Sequence, residues 1–225
     1  MWSHTRSLEG LVLVATVAPA GLVHVATAFR TGQAPARNRA RTATVGVPAI
    51  YLIVTALAVA IAMSGHFTPG QLGAWRTGLP WIPVAVGSGV AMVGAEFALG
   101  AVPKVLRGVR GLRLSVQTAA PAGPGYLASI ALTAVVEELL YRGLWIGVLE
   151  HSLHWSAGWA ICCAAAGYAL GHFFFGGLAV FQKALSGVVF GVLLVASGSL
   201  LVPVLAHLCQ NLTVHTLARG QVARL

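Results

Sequence analysis

The chain has 225 residues, of which 57% are apolar types and only 8% are charged. A water-soluble domain carries about 25% charged residues, so this chain cannot coat a water-facing surface of its size, and lipid is the solvent for much of it. The formal net charge is +9, from fourteen Lys and Arg against five Glu and no Asp. The basic residues fall mainly in short gaps between apolar runs, a placement that suits lipid headgroups and membrane topology and argues against a nucleic-acid partner.

Crossing a bilayer as a helix takes roughly 20 apolar residues. Lipid satisfies no backbone N–H or C=O, so each crossing must be helical. Seven runs qualify in chain order, at about 9–29, 44–64, 79–101, 126–149, 156–175, 180–198 and 199–218. They predict an all-α, polytopic transmembrane bundle forming a single integral membrane domain over 1–225. The first run has only Arg6 before it, is long, and is interrupted by Pro19 and His24; it reads as a retained helix and not a signal peptide. The last two runs are separated only by Gly198 and Ser199.

Connecting charges set an orientation. Arg30, Arg37, Arg39 and Arg41 lie between helices one and two, Lys104, Arg107, Arg110 and Arg113 between three and four, and Arg219 and Arg224 in the tail. The other connections hold little beyond Arg76. With seven helices the basic segments share one side, which the positive-inside rule makes cytoplasmic. The expected protein is therefore a multi-pass cell-membrane protein with its N-terminus outside and its C-terminus cytoplasmic. Residues 114–125 form a proline-containing loop before helix four. The three N-terminal helices, 1–125, carry no motif, and the chemistry concentrates in 126–218.

Helix four holds Glu137, Glu138 and Arg142 about midway along its length. A charge at the membrane centre costs roughly 2.5–3.5 kcal/mol on insertion scales, so the three need partners or a task. Glu138 and Arg142 are four apart and can pair on one face. Glu137 lies about 100° around the helix from Glu138 and is left without that partner, which suits it to act as a base. A structural ion-pair network between helices is the plainer reading of the same residues. Helix five ends in Tyr168 and His172, and an intramembrane histidine taken alone is ordinarily a helix–helix hydrogen bond. Helix seven places His207, Asn211 and His215 at steps of four, on one face, where polar packing between helices is again the plain alternative. Glu96 in helix three is a further costly carboxylate that can line the same cavity or pair with a buried cation. Lys183 is placed to snorkel to the cytoplasmic interface. Cys162, Cys163 and Cys209 lie in apolar stretches with no CxxC spacing and read as small buried hydrophobes.

Together these groups are the parts of a hydrolytic site. A carboxylate activates water, a histidine orients it, and a second histidine and an asparagine donate hydrogen bonds to a developing oxyanion. Glu137, His172 and His207 are equally a donor set for a divalent metal such as zinc, which would lower the pKa of a bound water. The zincin pattern HExxH is absent.

At these residues the chain resembles the CPBP (CAAX-protease and bacteriocin-processing, or Abi) intramembrane proteases, related to the type II CAAX prenyl endopeptidases. That family's pattern is EExxxR, then an aromatic-xxx-His, then HxxxN or HxxxD. This sequence has Glu137, Glu138 and Arg142, then Tyr168 and His172, then His207 and Asn211. Tyr168 stands where the family usually has Phe, which keeps the aromatic ring. The resemblance covers about 126–218. It implies that Glu137 and His172 activate water, that His207 and Asn211 stabilise the oxyanion, and that Glu138 and Arg142 hold the site in shape. The implied activity is endopeptidase cleavage of a membrane-associated or lipidated peptide, with or without a metal. Two other uses of the same residues stay open: acid/base chemistry, such as a cyclisation, on a lipophilic small molecule, and a non-enzymatic membrane immunity or scaffold protein.

Overall fold

A computed structural model of the chain describes residues 10, 13, 16, 47–63, 67–108 and 123–222. Those residues form six helices, with no strand among them. They are α1 (Val47–Met63), α2 (Trp81–Leu106), α3 (Pro124–Glu138), α4 (Ala157–Leu170), α5 (Gly177–Ser197) and α6 (Leu201–Val222). They correspond to the second to seventh expected runs. Most of the first run, 9–29, with His24 and the arginines at 30–41, lies outside the described residues, as do Arg110 and Arg113. Gly10, Leu13 and Thr16 are helical. Thr16 Oγ1 accepts a 2.9 Å hydrogen bond from the indole Nε1 of Trp145.

The bundle is turned inside out relative to a water-soluble one. Large apolar side chains such as Ile53, Leu57, Val90, Phe181 and Val192 are exposed, while Glu137, Glu138, Arg142 and His207 are buried. In lipid, a leucine on the outside costs nothing and a charge must turn inward. α2 and α5 are each long and apolar enough to cross a membrane. Trp75, Trp81, Trp155 and Trp159 all fall at the end where α2 and α4 begin, the level at which amphipathic indoles collect at a membrane–water interface. Cys162, expected inside, is on the exposed face.

Three local features position the polar core. α3 continues without a break into π-helical turns over Leu139–Ile146 and Val148–Ser152. The wider turn begins just after the two glutamates; π-turns inside helices recur at functional sites. α4 stops at Leu170, short of the expected end at 175. His172 therefore stands in a turn, ahead of a single 3-10 turn at Phe173–Phe175, and not on the helix. Finally, α5 and α6 are two separate helices, because Gly198 adopts a left-handed conformation (φ 64°) and donates its N–H to Leu194 O at 2.8 Å. This cap needs no Cβ and reverses the chain in three residues. The reversal is pinned by Ala74, whose carbonyl accepts from Leu200 N at 2.9 Å and Ser199 Oγ at 3.1 Å.

The apolar core falls into two parts. One gathers Leu140, Leu144, Ile146, Tyr168 and Leu200 around the π-helical segment. The other gathers Ala85, Met92, Phe190, Leu193 and Ala206 between α2, α5 and α6. α2 and α6 approach closely at Gly89, where an added Cβ would run into the carbonyl oxygen of Ala206.

Candidate active site

The buried polar centre is built on α3 and α6. Glu138 Oε1 receives two donors. Arg142 Nη1 lies 3.0 Å away, one turn along the same helix, and His207 Nδ1 lies 2.8 Å away on α6. The expected i,i+4 pair therefore forms, and a histidine closes on it from another helix. The Arg142 guanidinium also donates from Nη2 to Gly187 O at 3.4 Å. It stacks over the Tyr168 ring at 4.7 Å and the Phe190 ring at 5.4 Å. Both Arg142 and Glu138 are within 1% of complete burial. A planar guanidinium suits this role, because it can bond in its plane and stack on its faces at once.

Glu137 is differently placed. Its Oε2 lies 3.7 Å from His207 Nε2, beyond hydrogen-bond range. No hydrogen bond to its side chain is found among the described residues. It is thus the carboxylate without a tight partner, as expected, although His207 sits near it. The imidazole of His207 lies between two carboxylates, held by one through Nδ1 and facing the other through Nε2. When Nδ1–H donates to Glu138, Nε2 is the nitrogen left to exchange a proton or, in the charged form, to donate.

Tyr168 links the two histidines. Its ring packs edge-on against His172 at 4.9 Å and against His207 at 6.3 Å. His172 is half-buried, and its Nδ1 is 2.9 Å from the Tyr168 carbonyl. Asn211 stands one turn beyond His207 on α6 and is half-buried. His215, a further turn on, is buried against the ring of Tyr126 at 5.4 Å, away from the glutamates along α6. Glu137, His172 and His207, the candidate metal donors, do not fit an ion. No three His, Cys, Asp or Glu side chains are grouped closely enough for one among the described residues.

Glu96 belongs to a second polar network beside the first. Its Oε1 accepts from Gln210 Nε2 at 2.9 Å and pairs with Lys183 Nζ at 3.3 Å. Gln182 Nε2 donates to its backbone carbonyl at 2.7 Å. Lys183, expected to snorkel outward, instead turns inward to Glu96, and its charge is within electrostatic reach of Glu137. Gln210 was given no role from the sequence. The available signal was its position three residues after His207 in an apolar helix, where an amide must find a partner.

An apolar-coated helical bundle with a charged, aromatic-lined centre fits a helical membrane protein. Residues 120–213 match the family model described as Rce1-like, type II CAAX prenyl endopeptidase Rce1-like. That segment holds all three motifs, and the family it matches is the one the residues resemble, a family of membrane-embedded proteases. Comparison with curated proteins and with solved structures found no match.

Proposed function

We propose that the protein is a multi-pass intramembrane endopeptidase that hydrolyses a membrane-associated or lipidated peptide with water activated by Glu137. The observation that carries this reading is the division of labour between the two adjacent carboxylates. Glu138 is engaged through Oε1 by both Arg142 and His207, while its Oε2 has no hydrogen-bond partner among the described residues. Glu137 is buried beside them with no hydrogen bond among the described residues and with His207 Nε2 at 3.7 Å. In a structural ion-pair network the second glutamate would add only its longer 3.7 Å approach to His207. A hydrolase needs such a glutamate, because a base must be free to take a proton.

In this mechanism Glu137 takes a proton from water as the water oxygen bonds to the scissile carbonyl carbon. The carbonyl π pair moves onto oxygen, and His207 and Asn211 donate to that oxyanion. The C–N bond then breaks, and the leaving nitrogen takes the proton from Glu137. His172 helps orient the water. Glu138, braced by Arg142, fixes the imidazole of His207 so that Nε2 faces the reaction. Tyr168 and Glu96 line the same interior. The catalytic core is 126–218, set in a seven-helix bundle whose N-terminus is outside and C-terminus cytoplasmic, an orientation supported by the basic connections.

The test is a comparison of purified wild type with Glu137→Gln on a panel of lipidated and unlipidated peptides, read by mass spectrometry. Cleavage by wild type alone supports the reading. Equal cleavage by both removes Glu137 as the base. No cleavage by either redirects the search to acid/base chemistry on lipophilic small molecules.

A further inference from the structure

Tyr141 lies four residues after Glu137 on the same continuous helix, about one turn on. Its side chain is 1% exposed. The ring packs edge-on against Tyr168 with centroids 5.2 Å apart, and Tyr168 is the residue that links His172 and His207. The Tyr141 hydroxyl is within electrostatic reach of the Glu137 carboxylate and the Arg142 guanidinium. It nevertheless has no hydrogen-bond partner among the described residues. A buried hydroxyl without a partner is unfavourable, and the ring contacts alone would be met by phenylalanine. The packing of Tyr141 therefore explains its ring and leaves its oxygen unexplained.

We propose that Tyr141 is a further catalytic residue of this site, its hydroxyl holding the water that Glu137 deprotonates. The hydroxyl oxygen accepts the proton that the water keeps, while Glu137 takes the other. With both protons directed, a lone pair of the water oxygen is left aimed at the scissile carbonyl carbon. No bond to Tyr141 forms or breaks, and the transferred proton still passes from water to Glu137 to the leaving nitrogen. The proposal rests on the protease reading and deepens it: Glu137 takes one proton and His172 steadies the water from its oxygen, which leaves the second proton undirected, and the Tyr141 contact removes that freedom before reaction.

The variant that tests this is Tyr141→Phe, which deletes the oxygen and keeps the ring. Two quantities are read on the full chain in detergent: steady-state cleavage of the best wild-type peptide, and the thermal unfolding midpoint. We expect kcat to fall on the order of 100-fold with KM unchanged, and the midpoint to stay equal or rise. Wild-type kcat overturns the proposal. So does a lowered midpoint, since the hydroxyl then has a structural partner and the loss of rate follows from that. If wild type cleaves no peptide, the protease reading falls on its own ground, and the melting comparison still decides for Tyr141. A held or raised midpoint supports a hydroxyl reserved for a reacting group, and a lowered one overturns it.

Discussion

His207 Nδ1 meets Glu138 Oε1 at 2.8 Å across 69 positions of sequence, so the histidine that faces Glu137 is aimed by the other glutamate. The same oxygen holds Arg142. Replacing Glu138 with Ala removes both contacts and leaves the guanidinium as an uncompensated buried cation. Breaking a buried pair in this way costs about 3–5 kcal/mol. We expect Glu138→Ala to lower the unfolding midpoint and to abolish cleavage. Glu138→Gln keeps the shape and one acceptor oxygen, and it should fold while losing rate. Circular dichroism melts in detergent beside kcat measurements check both. A Glu138→Ala variant as stable as wild type would mean that Arg142 is not held as described.

Glu137→Gln should differ from Glu138→Ala in stability. Its carboxylate gives up no hydrogen bond to any described residue, so the unfolding midpoint should not fall. The rate should drop by about 10²–10⁴-fold, the range for a general base. Adjacent glutamates on one helix thus separate into one whose loss is felt in rate alone and one whose loss is felt in stability as well. Equal midpoint losses in the two variants would contradict this division.

The parts of the site that follow from local spacing were legible in the sequence, and the parts that depend on how helices meet were not. Glu138 and Arg142 are four apart, and i,i+4 geometry alone brings them together. The cost of charge in lipid marked Glu137, His207 and Glu96 as residues turned inward. Nothing local, however, shows which face of α6 meets α3, so the His207 bridge between the two glutamates appears only in three dimensions. The same holds for Lys183. Its distance from the helix end suggested snorkelling, and the partner that draws it inward lies 87 positions away. The π-helical widening after Glu138 carries no proline or other breaker at its start. The left-handed turn at Gly198 was the reverse case, since a glycine between two apolar runs marks a helix end by itself.

Glu96 and Lys183 are half-buried partners joining α2 to α5, and Gln210 ties α6 to the same carboxylate. Glu96→Ala should destabilise the protein by leaving the Lys183 ammonium without its carboxylate in an apolar setting. Removing that charge as well, in Glu96→Ala with Lys183→Met, should recover part of the loss. Melting midpoints of the two single variants and the double variant form a cycle that isolates the pair. Simple additivity of the two single changes would show that the ammonium and carboxylate do not act together.

Gly89 sets how closely α2 can approach the helix that carries His207. A Cβ there would collide with the carbonyl oxygen of Ala206, the residue before His207, and come within 2.8 Å of Cys209 Cβ. The first obstacle is backbone, which cannot rotate away as a side chain can. Gly89→Ala must therefore push α2 and α6 apart, loosening the contact that lets helices associate in lipid, where small residues allow close packing. Overpacking of this kind costs about 1–3 kcal/mol. Because His207 rides on the displaced helix, kcat should fall in step with stability. Gly87, two residues earlier on the same helix, is exposed and has nothing within 4 Å of its added Cβ. Gly87→Ala should be silent or slightly stabilising, since alanine favours helix over glycine by about 1 kcal/mol. If both substitutions were silent, the α2–α6 contact would not be what positions His207. If Gly89→Ala alone lowers the midpoint and the rate, the close approach of these two helices is part of the site.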